Sequence, residues 1–394
     1  MKASIFIYPW DILDHGIESS LDQVKSLGFD QMNLAVNYHT ARLLLPQNPI
    51  RKVYFTEPGA TYFKPDHSKY DGPLRPYEST LTKGSDFLGD FVAKANSAGI
   101  AVNAWTVGLH STPHGFSYPD LCVETAFGDR LLQAFCPSNP GARAYLIGMA
   151  KDLDSRYNFN AIEPETATFR PFAHGYHHEI SGLENAPSLD YLLSLCFCES
   201  CAESASGSGV DISALRVKVR DAVSAAFEGR ALPESQYDLP DMIDGLGDFI
   251  DWRKTVIEGL AAEVKRESCK NSDLAWLVSV AMPNSKSGFL YGADPAGLMN
   301  VADYVSICGY TTDAGALKDD LADVAASGMD MGRLKVAIRP QWPDCFEYDN
   351  FAAKLSVLSD CGVGAVGMFN FGTMQKKAFT WIEKAMSEGL VDHK

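Results

Sequence analysis

The sequence predicts an α/β protein of the (β/α)8, TIM-barrel type, and three observations carry that prediction. Eight short apolar runs suited to strands follow one another along 394 residues, most of them succeeded by a run of helical spacing. Together they span the whole chain, as eight βα units should. The first is followed by Tyr8-Pro9-Trp10-Asp11, and not by the Gly-rich phosphate turn that opens a doubly wound sheet.

In order, strands are expected at Ser4–Tyr8, Gln31–Val36, Ile100–Val107, Asn158–Ile162, Ala275–Ala281, Tyr304–Cys308, Leu334–Ile338 and Ala365–Phe371. Helices are expected at Ile17–Leu27, stopped by Gly28, then at Asp86–Ala98, Ala142–Asp154, Pro295–Ala302, Ala316–Ala326, Phe351–Leu358 and Lys377–Ser387. Two insertions, at about 38–83 and 166–247, interrupt the rhythm of what reads as a single barrel domain over 1–394. The first is rich in Pro, Tyr, Arg and Lys, and its aromatic content favours an ordered loop over the barrel mouth. The second holds the His and Cys clusters, with Ser204–Ser208 and Pro233–Pro240 reading as surface loop.

Composition narrows the function. With 46% hydrophobic, 21% charged and 11% aromatic residues the chain is neither disordered nor collagen-like. Its 34 basic against 50 acidic residues give a formal charge of −16, which repels phosphate backbones and anionic membranes. No nucleic-acid or membrane partner is expected. The apolar run at the N-terminus is too short for a signal peptide and reads as a buried strand. Nine cysteines, an odd number, point to reduced thiols in a cytoplasmic setting.

The sharpest local signal is Cys196-Phe197-Cys198-Glu199-Ser200-Cys201. Three thiols in six residues suit zinc, which takes four sulfur or nitrogen ligands in a tetrahedron. The fourth ligand is open among Cys122, Cys136, His174, His177 and His178.

Together with Phe135-Cys136-Pro137-Ser138-Asn139-Pro140, this run resembles the zinc arrangement of family-42 β-galactosidases, TIM-barrel glycosidases of the large retaining clan. The resemblance covers roughly 135–201 and implies a structural zinc held by Cys136, Cys196, Cys198 and Cys201. The chain departs from that family at both catalytic positions. Where the family has Asn-Glu, this chain has Ile162-Glu163-Pro164-Glu165, and its seventh strand runs into Arg339-Pro340-Gln341-Trp342-Pro343-Asp344 in place of a nucleophilic Glu. What the resemblance implies is the barrel, the zinc site and the broad enzyme class, not β-galactosidase activity.

TIM barrels build their active sites at the C-terminal ends of the strands. The fourth strand runs out in Glu163 and Glu165, two residues apart and so on one face of an extended chain. Two carboxylates in a partly desolvated cup split their pKa values into the acid and the base or nucleophile that glycoside cleavage needs. The alternative is a structural ion pair near Arg170. The same run resembles the fourth strand of family-18 chitinases and of α-galactosidase-type barrels, and in the latter the residue matching Glu165 is the nucleophile. A partner carboxylate is expected in Asp313 or, second, in Asp344.

Aromatic, amide and imidazole groups gather at the other strand ends: Tyr8, Trp10, Asn37, His39, Trp105, His110, Asn284, Tyr310, Trp342 and Asn370. Rings stack on sugar faces while amides and imidazoles bond hydroxyls, so a neutral carbohydrate is the expected substrate. His177, in the run His174-Gly175-Tyr176-His177-His178-Glu179, joins that set as a hydrogen-bonding group. The expectation is a glycoside hydrolase with a two-carboxylate mechanism centred on Glu165, Glu163 and Asp313, with a homo-oligomer possible. Two alternatives stand beside it: a metal-dependent sugar isomerase, lyase or hydrolase using the histidines, and a non-catalytic carbohydrate-binding barrel.

Overall fold

The computed structural model describes residues 1–392 apart from 176–179, 184–185, 282–287 and 289. Eight parallel strands close into a barrel: β1 (Lys2–Ile7), β2 (Gln31–Ala35), β3 (Ala101–Val107), β4 (Ala161–Glu165), β5 (Asp273–Ala281), β6 (Tyr304–Cys308), β7 (Leu334–Ile338) and β8 (Ala365–Met368). Each is bonded to the next and β8 to β1, the ring of a (β/α)8 barrel. Ile5 stands between Met32 and Met368, and Val107 stands opposite Glu165. Apolar side chains between the strands and the outer helices form the main core.

The local sequence sets where each element begins. Asn139 accepts from the Gly141 and Ala142 amides at 2.9 and 3.3 Å and Pro140 opens the next helix, which runs to Arg156. That helix is longer than expected, so β4 starts at Ala161 and ends on Glu165. Both glutamates therefore lie inside the strand. β1 ends at Ile7 because Pro9 starts a helix, Pro9–His15, directly after it; Gly16, at φ 86°, breaks the chain before Ile17–Ser26. The helix expected at Pro295–Ala302 covers only Pro295–Leu298.

The segment after β2 carries an antiparallel hairpin, Arg42–Leu44 with Val53–Phe55. A second hairpin, Cys122–Glu124 with Arg130–Phe135, follows β3. Beyond β4 the described chain is largely helical: Pro187–Leu193, Glu199–Ser206, Ile212–Phe227 and Leu246–Glu267. Ser204–Ser206, expected as surface loop, instead ends a helix. Among the described residues no helix is long and apolar enough to cross a membrane.

The barrel interior has a polar middle layer, where such barrels are usually filled by Val, Ile and Leu. Asn33 donates to Ser4 Oγ at 2.8 Å and accepts from Asn103 at 2.9 Å and from Lys335 Nζ at 3.1 Å. Lys335 also pairs with Glu163, which accepts from Ser306 Oγ at 2.9 Å. Lys335 and Glu163 are both buried. Lys335→Met leaves that carboxylate without its counter-ion, and a loss of about 3–5 kcal/mol in urea unfolding is expected.

Candidate active site

At the C-terminal ends of the strands lies a cleft of about 140 Å³. Glu165 closes β4 on one side of it, and Phe6, Leu277, Ala337 and Phe369 face it from β1, β5, β7 and the end of β8. Trp105 Nε1 donates a hydrogen bond to the Glu165 carboxylate, and the Glu165 carbonyl accepts from the Gly108 amide at 2.8 Å. Thr166, directly after it, has a φ of 57°, an uncommon conformation for a β-branched residue and one found often beside functional groups.

Burial pushes the Glu165 carboxyl above the ordinary carboxylate range. The Trp105 hydrogen bond and the Arg170 guanidinium pull against that rise, and the Glu163 charge adds to it. Arg170 is itself buried, and burial brings its guanidinium down to about 10. Such a carboxyl keeps its proton to higher pH than a solvated glutamic acid does.

The expected ligand residues divide. Tyr8 bonds Tyr38 hydroxyl to hydroxyl at 2.9 Å and stacks on Trp10 at 4.4 Å. Tyr38 stacks on His39 at 4.3 Å, His39 on His110 at 4.8 Å, and His174 meets His110 edge-on at 5.7 Å. An aromatic and imidazole wall thus runs from Trp10 to His174, with Trp105 and Tyr310 in the same cleft. Arg339 stacks on Tyr310 at 4.2 Å and holds Asp344 through two hydrogen bonds of 2.6 and 2.8 Å.

Others stand elsewhere. Asn37 spends its amide on the Val107 backbone, with bonds of 2.7 and 2.8 Å. Asn370 is buried and caps a short turn through the Gly372 amide at 3.0 Å. Trp342 is 72% exposed on the loop after β7. Asp313 is exposed and caps the helix Ala314–Ala326 through the Gly315 amide at 2.7 Å. Glu163 sits one layer below the cleft in its pair with Lys335. His177, His178 and Asn284 lie outside the described residues.

Sequence reading passed over Phe6, Tyr38, Leu277, Cys308, Ala337 and Phe369, all in the cleft wall. Phe6, Cys308 and Ala337 are the last inward side chains of β1, β6 and β7, residue types that read as core within a strand.

Beneath the mouth, Asp11 is buried beside Tyr8, whose amide donates to it at 3.4 Å. Burial pushes its carboxyl up to about 8. A folded-state value above the unfolded one means that the native protein holds a proton the unfolded chain has released. The stability from that proton is full below about pH 4 and drains away as pH rises through about 8. In thermal melts from about pH 5 to 8.5, Asp11→Asn is expected to flatten the decline relative to the unsubstituted protein. Parallel pH profiles would contradict the assignment.

On the flank of the barrel, Cys136, Cys196, Cys198 and Cys201 bring four buried sulfur atoms within 4.8 Å of one another. Cys136 follows the hairpin strand Arg130–Phe135; Cys198 caps the helix Glu199–Ser206 and Cys201 lies in its first turn. Cys136 Sγ is 3.4 Å from Cys201 Sγ and 3.6 Å from Cys198 Sγ. Four sulfurs each about 2.3 Å from one ion would stand about 3.8 Å apart, so the cluster could hold a metal ion with little adjustment. The Glu124 amide donates to Cys196 Sγ at 3.4 Å, an outer contact of the kind that orients a ligand. Of the fourth ligands open in the sequence it is Cys136 that joins, while His174 faces the cleft.

The fold and the placement of the cleft define a (β/α)8 barrel with its pocket at the strand ends. Among solved structures the chain is similar to the catalytic domain of β-amylase from Paenibacillus polymyxa, at 11% identity and a TM-score of 0.57, covering 99% of both chains. It is also similar to a β-galactosidase from the Antarctic haloarchaeon Halorubrum lacusprofundi, at 11% identity and 0.58, covering 97% of this chain and 57% of that one. A third is the β-galactosidase of the psychrophilic Marinomonas ef1, at 12% identity and 0.55, covering 100% of this chain and 61% of that one. No protein-family model matches the chain, and no curated protein matches it in sequence. At these identities the likeness establishes the fold.

Proposed function

We propose that this protein is a glycoside hydrolase acting on a neutral carbohydrate, with Glu165 as the proton donor to the departing sugar oxygen. The observation that carries the reading is the carboxyl at the end of β4, set in an aromatic cleft and pushed up by burial. A general acid must still hold its proton at working pH, and burial of this kind provides that. Among the described residues Glu165 is the single carboxylate in the cleft wall, and it is the acid half of the chemistry. Trp105 and Tyr38 offer rings to a sugar face, and the Tyr38 hydroxyl and His174 offer polar contacts at its edge. That β-amylase and β-galactosidases share the fold supports the class.

The four cysteines are proposed to hold zinc in a structural role. A closed set of four thiolates leaves no position for substrate, and zinc favours such a set. All nine cysteines are free thiols, which fits a reducing, cytoplasmic setting.

The test is a hydrolysis screen over α- and β-linked aryl pyranosides and furanosides. Release of phenol from at least one of them is expected. Silence across the panel, together with no binding of the corresponding free sugars, would overturn the reading.

A further inference from the structure

Directly beneath Glu165 lies a second carboxylate that takes no part in the cleft wall. Glu163 precedes it by two residues on β4, so the two side chains share the inward face of one strand. Glu163 is fully buried. One of its oxygens takes the Lys335 ammonium from β7 and the Ser306 hydroxyl from β6. The other, Oε2, has no hydrogen-bond partner among the described residues. Lys335 is fixed in turn by Asn33 on β2 and by the ring of Phe6 on β1, 5.3 Å away.

Stability does not account for this arrangement. A buried ion pair replaced by apolar residues is often neutral or better for the fold, and a buried oxygen without a donor is a cost. The pair lies where barrels of this kind carry hydrocarbon. What it accomplishes is to hold a negative charge still, one layer below the candidate acid.

We propose that Glu163 is a positioning residue for Glu165, a fixed negative charge anchored by Lys335 and Ser306 that keeps the acid protonated until it gives its proton to substrate. The proposal rests on Glu165 being the acid. Ionising Glu165 in the free protein would set two carboxylates of one strand face against each other, and like charges at such range raise the cost of the second ionisation. The direction agrees with the rise that Glu163 contributes at Glu165.

The other groups facing Glu165 are Trp105 on β3, Arg170 in the following loop, the phenols of Tyr8, Tyr38 and Tyr310, and the Cys308 thiol on β6. Burial pushes the three phenols upward and the thiol up to about 12, so they stay neutral over the working range. Glu163 with its counter-ion Lys335, and Arg170, are the charges left to act on Glu165 from below and beside it, with His174 in the cleft wall.

The test reads Glu165 directly and needs no substrate. Infrared titration follows the carboxylic C=O band that Glu165→Gln removes, first in the unsubstituted protein, then in Glu163→Gln and in the double variant Glu163→Gln/Lys335→Met. The single variant is expected to lower the Glu165 midpoint by about one pH unit or more. The double variant loses both charges, leaves no ion unpaired, and is expected to show a smaller fall in the same direction; it decides the matter if the single variant does not fold. An unchanged or raised midpoint overturns the proposal, as does a band that Glu165→Gln leaves intact. A lowered midpoint with neither hydrolysis in the glycoside screen nor binding of the free sugars would retain the charge relation and overturn the glycosidase reading instead.

Discussion

Glu165→Gln is expected to lower turnover by at least about a hundredfold on a cleaved glycoside whose leaving group needs a proton, alkyl or unsubstituted phenyl, with KM changed by no more than a few fold. The amide keeps the size of the carboxyl, and its carbonyl oxygen can still accept the Trp105 N–H, so the wall of the cleft is preserved. It has no acidic proton to give. The lost energy therefore falls on the transition state and not on substrate binding. Near-normal turnover in the folded variant would remove Glu165 from the chemistry. In the unsubstituted protein, activity that depends on the protonated form should fall as pH rises through the Glu165 midpoint, which burial places above the ordinary carboxylate range.

The second large effect is expected at the cysteine cluster. A metal bound by Cys136 and by the run Cys196 to Cys201 would tie the hairpin after β3 to the helices after β4, segments that meet only through tertiary contact. Binding free energy at such a site is folding free energy. Cys198→Ser, or a strong chelator, is expected to release one zinc per chain in native mass spectrometry. The same loss should cost on the order of several kcal/mol in unfolding. A purified protein with no bound metal and unchanged stability in Cys198→Ser would contradict the structural role.

The fold was legible in the sequence because each barrel strand is a compact apolar run. Asn139-Pro140, Asp86 before its helix and Gly28 after Lys25–Leu27 are punctuation with a physical cause. The limits were those of local patterning. Residues Ile212, Leu215, Val219 and Val223 have helical spacing and are buried, a helix inside the second insertion that was not among the expected elements. The polar barrel layer was also written in the strands, as polar residues inside five of the apolar runs: Ser4, Asn33, Asn103, Ser306 and Lys335. Reading those residues as strand-interior pairs needs the ring of strand contacts that joins β2 to β7 through Lys335 and Asn33. Glu165, Trp105 and Tyr310 line the candidate cleft and were legible as residues at or just beyond strand ends, while Tyr8 stands against Tyr38. Asp313 and Asn370 share their residue types with ligands but are used as caps, a distinction that the backbone amides at Gly315 and Gly372 make and that spacing does not.

In the proposed reaction Glu165 delivers a proton to the departing oxygen. The most direct test of that step is the dependence of rate on the leaving group, measured for the unsubstituted protein and for Glu165→Gln on one sugar carrying either an alkyl or a 2,4-dinitrophenyl group. An alkoxide needs a proton to depart and a dinitrophenolate does not. Glu165→Gln is expected to lose at least about a hundredfold on the alkyl glycoside and far less on the dinitrophenyl glycoside. Equal losses on both would contradict the acid role and assign Glu165 to attack on the sugar, or to holding it in place.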